Sequence, residues 1–308
     1  MEAYEIRKIL VPVDFSPIAS NALETAIAMC KRQLSTLTLI YVIENSYLLF
    51  PPEAGGAGAE VFPKLQKDAN DNLANLCKEL RVKHDIVINH IVQAGNPADE
   101  ICRWALHKKY DLVVMGTHGA SGLREFFLGS NAYRVVKNAP CPVMTIPGTQ
   151  QWLDFKKILF PIRMVPHALD KYEYVRPIIR KNSSTLLVAG IVKKNDTGDF
   201  IEMKKLVDTV RNRITEDDVE CNSEVHNCEN VAREVLDIAN AVKTDLIVIT
   251  ATLDNSLKDF FLGPYTQDIV NHAKVPVLSI RPQQGIDPNV EMESITSTSL
   301  PLQPWALS

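Results

Sequence analysis

Apolar and polar positions alternate between two periods along this chain, and the alternation occurs twice. Runs of β-branched and aliphatic residues at Lys8–Val13, Thr36–Ile43, Asp85–Val92, Asp111–Met115 and Pro142–Ile146 predict five strands in the first half. Stretches with helical spacing lie between them. Ala22, Leu23, Ala26, Ile27 and Cys30 form one apolar face, with Ser16 as N-cap and Pro17 as the first helical residue. Leu65–Val82, Pro97–Lys109 and Ser130–Lys137 supply three further helices. Near-continuous apolar strands alternating with helices predict an α/β fold, with a parallel sheet covered on both faces.

The second half repeats the landmarks of the first in the same order. Lys8-Ile9-Leu10-Val11-Pro12-Val13 matches Lys157-Ile158-Leu159-Phe160-Pro161-Ile162, and Asp111–Met115 matches Asp245–Ile249. Phe126-Phe127-Leu128-Gly129 recurs as Phe260-Phe261-Leu262-Gly263, and Cys141-Pro142-Val143 is echoed by Val275-Pro276-Val277. A tandem duplication follows, with its junction near Gly148–Gln151. The expected domains are residues 1–149 and 150–283, with a flexible C-terminal tail over 284–308 that is rich in Ser, Thr and Pro. Asn45–Val61, with Pro51-Pro52 and Gly55-Gly56, predicts a turn-rich loop.

Composition narrows the functions open to such a chain. Its 308 residues are 46% hydrophobic and 23% charged, and the net charge of −4 leaves no basic footprint for nucleic acid or anionic membrane. The apolar runs are too short to span a bilayer, and no secretory signal pattern opens the chain, so the expected location is cytoplasmic. Cysteines 30, 77, 102, 141, 221 and 228 sit mostly in apolar stretches and read as small buried hydrophobes. Cys221, His226 and Cys228 lack an obvious fourth ligand for zinc, and no metal ligand is assigned.

One stretch carries candidate chemistry. Gly116, Gly119, Gly129 and Ser130 obey the spacing G-x2-G-x9-G-[ST], directly after a strand and leading into a helix. Glycines permit positive φ and close approach of a ligand to the backbone. Loop N–H groups form an anion-holding concavity, and Ser130 and Asn131 fall at a helix N-terminus that favours phosphate. Taken alone, the stretch is equally compatible with a surface turn.

That motif, with Val11-Pro12-Val13-Asp14-Phe15-Ser16 and Cys141-Pro142-Val143, resembles the universal stress protein family, and within it the ATP-binding branch. The resemblance covers the first 148 residues end to end, and 155–282 more weakly. It implies two tandem doubly wound domains, each a five-stranded parallel sheet of order 3-2-1-4-5, packed as an intramolecular pseudo-dimer that could assemble further as a homo-oligomer. It implies ATP as ligand, with any Mg or Mn held mainly by the phosphates. Asp14 would accept from the ribose hydroxyls, and Pro12, Val13 and Val42 would line the adenine. Gly116, His118, Gly119, Gly129, Ser130 and Asn131 would surround the phosphates. Asp14 also reads as a helix-capping residue, and His118 as a loop residue rather than a base. In the second copy Arg163 replaces Asp14, Thr250 replaces Gly116, Leu253 replaces Gly119 and Pro264 replaces Ser130, so that copy is expected to be degenerate and nucleotide-free. Three functions stay open: a non-catalytic ATP-binding stress-response regulator, a slow ATPase, and a scaffold whose second domain binds an anion or a protein. No catalytic residue is assigned. The P-loop ending and the Ser-Gly-Gly-x-Asp-Ser loop of adenylating pyrophosphatases are both absent.

Overall fold

A computed structural model describes residues 3–44, 57–118, 128–165, 169–194, 197–254 and 261–281; side chains of 57–61, 197–199, 253–254 and 261 are excluded from that description. The first half runs β1 (Lys8–Pro12), α1 (Pro17–Gln33), β2 (Thr36–Glu44), α2 (Ala57–His84), β3 (Ile88–Gly95), α3 (Pro97–His107), β4 (Leu112–Gly116), α4 (Ser130–Asn138) and β5 (Val143–Ile146). The second runs β6 (Lys157–Ile162), α5 (Lys171–Asn182), β7 (Thr185–Lys193), α6 (Thr197–Thr215), β8 (Cys221–Cys228), α7 (Val231–Val242), β9 (Leu246–Thr250), β10 (Leu253–Asp254), β11 (Phe261–Leu262), α8 (Pro264–His272) and β12 (Val277–Ile280).

Strand order within each half is the one expected, but the halves do not form separate five-stranded sheets. They share one ten-stranded mixed sheet, ordered β3-β2-β1-β4-β5-β12-β9-β6-β7-β8. Neighbours within each half are parallel. β5 and β12 pair antiparallel at the centre, with Met144 opposite Leu278. The physical reason is the open edge. β5 and β12 are apolar, fully buried strands, and each satisfies the other's exposed N–H and C=O groups.

Boundaries moved where backbone conformation overrode composition. The strand expected from Asp85 begins at Ile88, because Asp85 takes φ 53° and closes α2 with its N–H on the Arg81 carbonyl at 3.0 Å. The helix expected to reach Lys109 stops at His107, with Lys109 at φ 51°. Of the loop expected over 45–61, residues 57–61 belong to α2; residues 45–56, like the tail 282–308, lie outside the described residues.

The repeat seen in sequence is a repeat of hydrogen bonds. Asp111 Oδ2 accepts from the N–H groups of Arg7 and Lys8, each at 2.8 Å, and so fastens the start of β1 to β4. Asp245 Oδ2 accepts from Lys156 and Lys157 at 2.9 and 2.8 Å, doing the same for β6 and β9. Asn96 and Asn230 cap α3 and α7 in matching fashion. One face of the sheet buries a single apolar cluster under α1, α2, α5 and α6, continuous across both halves. The opposite face has one cluster under α3 and α4 and another under α7 and α8. Leu128 packs against both of these, and Leu262 is buried in the first half's cluster. The backbone N–H of Leu128 donates to Asn271 Oδ1 at 2.8 Å, and that of Leu262 to the Tyr133 hydroxyl at 3.1 Å. The junction is pinned as well, since Asn21 Nδ2 donates to the carbonyls of Gly148 and Gln150 at 3.1 and 2.8 Å. Among the described residues no helix is long and apolar enough to cross a membrane.

Candidate functional site

The site begins where β1 and β4 end. These strands lie side by side, and β1 has β2 on its other flank, so chain order reverses at this point of the sheet. Crevices beyond the carboxyl ends of strands at such a reversal are where doubly wound sheets take ligands. Beyond Pro12 the Val13 N–H still donates to the Ile40 carbonyl at 2.9 Å, and then the chain turns. Asp14 is exposed, and its Oδ1 accepts from the Ser16 N–H at 2.9 Å. Ser16 caps α1 through its Oγ, which accepts from Ala19 N–H at 3.1 Å, and Pro17 opens the helix. The cap is therefore Ser16, and Asp14 braces the turn that precedes it.

Between them Phe15 sits at φ 61°, half-exposed, its ring 5.5 Å from that of Tyr41. A non-glycine residue in the left-handed region costs about 1–2 kcal/mol, and such strain tends to collect at functional sites. Residue type alone carries no signal of it.

On the β4 side, Gly116 and Gly129 do not use the positive φ that the glycine motif suggests. Among the described residues only Gly95 and Gly148 are positive-φ glycines. Gly116 is a close-approach glycine: a Cβ there would stand 2.6 Å from Ile18 Cγ2, so bare backbone lets the start of α1 press onto the strand end. Gly129 has φ −58° and is the N-cap of α4, with no side-chain hydrogen bond capping the helix. Its N–H donates to the Thr117 carbonyl at 2.8 Å, and Thr117 N–H donates to Ile146, which pins the helix entrance against the strand exit. The first-turn N–H groups of Ser130 and Asn131 are thus presented at the crevice without a side-chain acceptor. Ser130 is exposed and Asn131 half-buried.

His118 lies between these parts. Its Nδ1 is 2.9 Å from Thr117 Oγ1, and its Nε2 is buried without a hydrogen-bond partner. Burial lowers its pKa from the usual 6.5, which favours the neutral ring. In the tautomer in which the Thr117 hydroxyl donates to Nδ1, the ring proton sits on Nε2.

Two of the expected adenine neighbours lie on opposite faces of the sheet. Val13 is 7% exposed and packs under α1 and α2, whereas Val42 packs on the other face of the sheet with α3 and α4. Gly119 lies outside the described residues. Among those described, no group of three or more His, Cys, Asp or Glu side chains is arranged to hold a metal ion.

The corresponding place in the second half is built differently. Arg163 follows β6 as Asp14 follows β1, and its guanidinium lies on the Tyr265 ring at 3.6 Å. Thr250 ends β9 where Gly116 ends β4, and Pro264 opens α8 where Ser130 opens α4. The segment after Thr252 is tied back as a two-stranded hairpin, Leu253 opposite Leu262 and Asp254 opposite Phe261. The side chain of Leu253 lies outside the description.

The family model "Universal stress protein family" matches residues 5–147 and again 155–281. Universal stress protein MJ0531 of Methanocaldococcus jannaschii is 35% identical over 140 residues, covering 46% of this chain and 81% of that protein. Universal stress protein MJ0577 of the same organism is 30% identical over 153 residues, covering 46% and 94%. The crystal structure of a universal stress protein from Archaeoglobus fulgidus matches with a TM-score of 0.72 at 18% identity, over 90% of this chain and 99% of that one, which is a likeness of fold.

Proposed function

The chain belongs to the universal stress protein family with two such domains in tandem, and from that premise we propose that its first domain binds one adenine nucleotide, ATP foremost, as a non-catalytic regulator in a stress response. The observation that carries this reading is the convergence of three elements on one crevice: the exposed carboxylate of Asp14, the unused Nε2 of His118, and the uncapped start of α4. A carboxylate suits the paired hydroxyls of a ribose, while neutral N–H donors at a helix N-terminus suit phosphate.

The same groups argue for binding rather than turnover. In the tautomer that carries its proton on Nε2, His118 offers a donor to a phosphate oxygen. Asp14 Oδ1 is engaged by the Ser16 N–H. Hydrolysis calls for a group that orients and deprotonates water at the terminal phosphate, and that role is assigned to no described residue. The second domain, with Arg163, Thr250 and Pro264 at the matching positions, is read as degenerate for nucleotide.

Isothermal titration of the purified chain with ATP tests the proposal, together with mass spectrometry of any nucleotide that co-purifies. One site per chain is expected, weakened by Asp14→Ala and by Ser130→Pro. Two equivalent sites, or binding unchanged in both variants, would overturn it. A steady-state phosphate-release assay on the same preparation separates the regulator from a slow ATPase.

A further inference from the structure

The strand ends of the second domain bring together two basic side chains that have no carboxylate partner among the described residues. Lys171 stands in the first turn of α5, at the place Ala22 takes in α1, and is only 2% exposed. Its ammonium donates to the Pro161 carbonyl and lies 4.4 Å over the Phe160 ring. Arg163, half-buried beside it, has Nη2 3.4 Å from both the Thr250 carbonyl and Thr252 Oγ1, which is the long edge of hydrogen bonding. Among the described residues neither cation has a carboxylate partner. Elsewhere the chain does pair its partly buried arginines, Arg103 with Glu100 and Arg176 with Asp217. Burial and the nearby Arg163 charge both push the Lys171 amine well below its ordinary value. Buried charge without a counter-ion is costly, and two like charges side by side more so.

Two further features point the same way. Thr250 Oγ1 and Thr266 Oγ1 are buried and have no hydrogen-bond partner. Helix α8 starts with no side-chain cap, and Pro264 leaves the N–H groups of Tyr265 and Thr266 as its leading donors.

We propose that this place binds a small oxyanion of the inorganic phosphate or sulfate class, held by Arg163 and the first N–H groups of α8, with Lys171 supplying charge from beneath. A fork of guanidinium donors matches a tetrahedral oxyanion geometrically. Size argues against a nucleotide: the Arg163–Tyr265 stack occupies the strand end. The inference does not rest on nucleotide binding by the first domain.

The test uses the full-length chain carrying Ser130→Pro, which weakens the corresponding helix start of the first domain. Inorganic phosphate and sulfate are titrated by calorimetry, and melting is followed in each against chloride at equal ionic strength. One saturable site, with a melting temperature that rises with phosphate or sulfate but not with chloride, is expected. Arg163→Ala should abolish it, and Lys171→Ala should weaken it at least tenfold. Lys171→Ala installs the residue that the first domain tolerates at the same position, so its folding is secured by precedent within the chain. Saturable binding that survives both substitutions would place the anion elsewhere and overturn the proposal. Absence of saturable binding in the Ser130→Pro chain would overturn it too, leaving Lys171 as a buried amine that folding merely tolerates.

Discussion

The two strand-end regions of this molecule share a scaffold and differ in charge sign. In the first domain, an acid stands at the end of β1, a bare glycine at the end of β4, and α4 begins with no side-chain cap among the described residues. In the second, the matching positions carry a guanidinium, a threonine and a proline, and the short strands β10 and β11 pair antiparallel beyond β9. The backbone frame is nevertheless the same: Thr117 N–H donates to Ile146 in one, and Ala251 N–H to Ile280 in the other. The difference shows that the fold is indifferent to what occupies its strand ends. Core packing beneath them sets the architecture.

That contrast can be broken most severely at Gly119. Gly119→Leu, which copies Leu253, is expected to lower ATP affinity more than about 100-fold, equivalent to about 2.7 kcal/mol. Circular dichroism should show the fold retained, and a fluorescent ATP analogue should read the loss. A folded variant of unchanged affinity would separate the glycine loop from the phosphates.

Ser130→Pro comes next. Proline is well accepted at the first position of a helix, so it removes one N–H and one hydroxyl with little structural cost. A hydrogen bond to a charged group contributes about 1.5–3 kcal/mol, so affinity should fall by about tenfold or more in calorimetry. In the same experiment Arg163→Asp should create no second nucleotide site, because Pro264 and Thr250 remain.

His118 gives a smaller and pH-dependent effect. Burial holds the folded-state pKa below the usual 6.5. The unfolded chain therefore takes up a proton first as pH falls, and the stability tied to His118 is present above that value and lost as pH drops through the window beneath it. An anionic ligand beside Nε2 should raise the pKa by about one unit, about 1.4 kcal/mol. Titration of the ring signals by NMR, with and without ATP, reads this directly. An unmoved pKa would remove His118 from the phosphate site.

The smallest change is expected at Phe15. Its counterpart Met164 is not among the positive-φ residues. Phe15→Gly relieves left-handed strain of about 1–2 kcal/mol but gives up an aromatic contact of about 0.5–1.5 kcal/mol. Chemical denaturation should find stability within about 1 kcal/mol of the parent chain. A larger loss would show that the Phe15–Tyr41 contact holds the Asp14 turn in place.

Much of this comparison was legible in the sequence, because it rests on repeated short strings. Strand cores, the Ser16–Pro17 helix start and the substitution of Asp14 by Arg163 all follow from residue type and order. The misread boundaries came from Asp85 and Lys109, where non-glycine residues adopt left-handed geometry that composition does not announce. Gly116 shows a related limit: glycine reports that a Cβ is unwelcome, without saying whether torsion or a neighbour such as Ile18 forbids it. Lys171 was missed although a signal existed. It stands in register with the buried stripe Tyr172, Val175, Ile178 and Ile179, where a charged residue breaks the apolar pattern.

The antiparallel joint between β5 and β12 has a consequence for how the two halves can diverge. In a homodimer built around such a dyad, every substitution occurs on both sides, and the partners separate on dilution. Here the chain itself joins them through a pinned junction, so their effective concentration is fixed by a short tether and does not depend on expression level. Each side of the dyad can then change by itself, provided the central pair of Met144 and Leu278 keeps its register. Covalent linkage turns a symmetry constraint into a division of labour, with one half free to keep a site and the other free to alter its own.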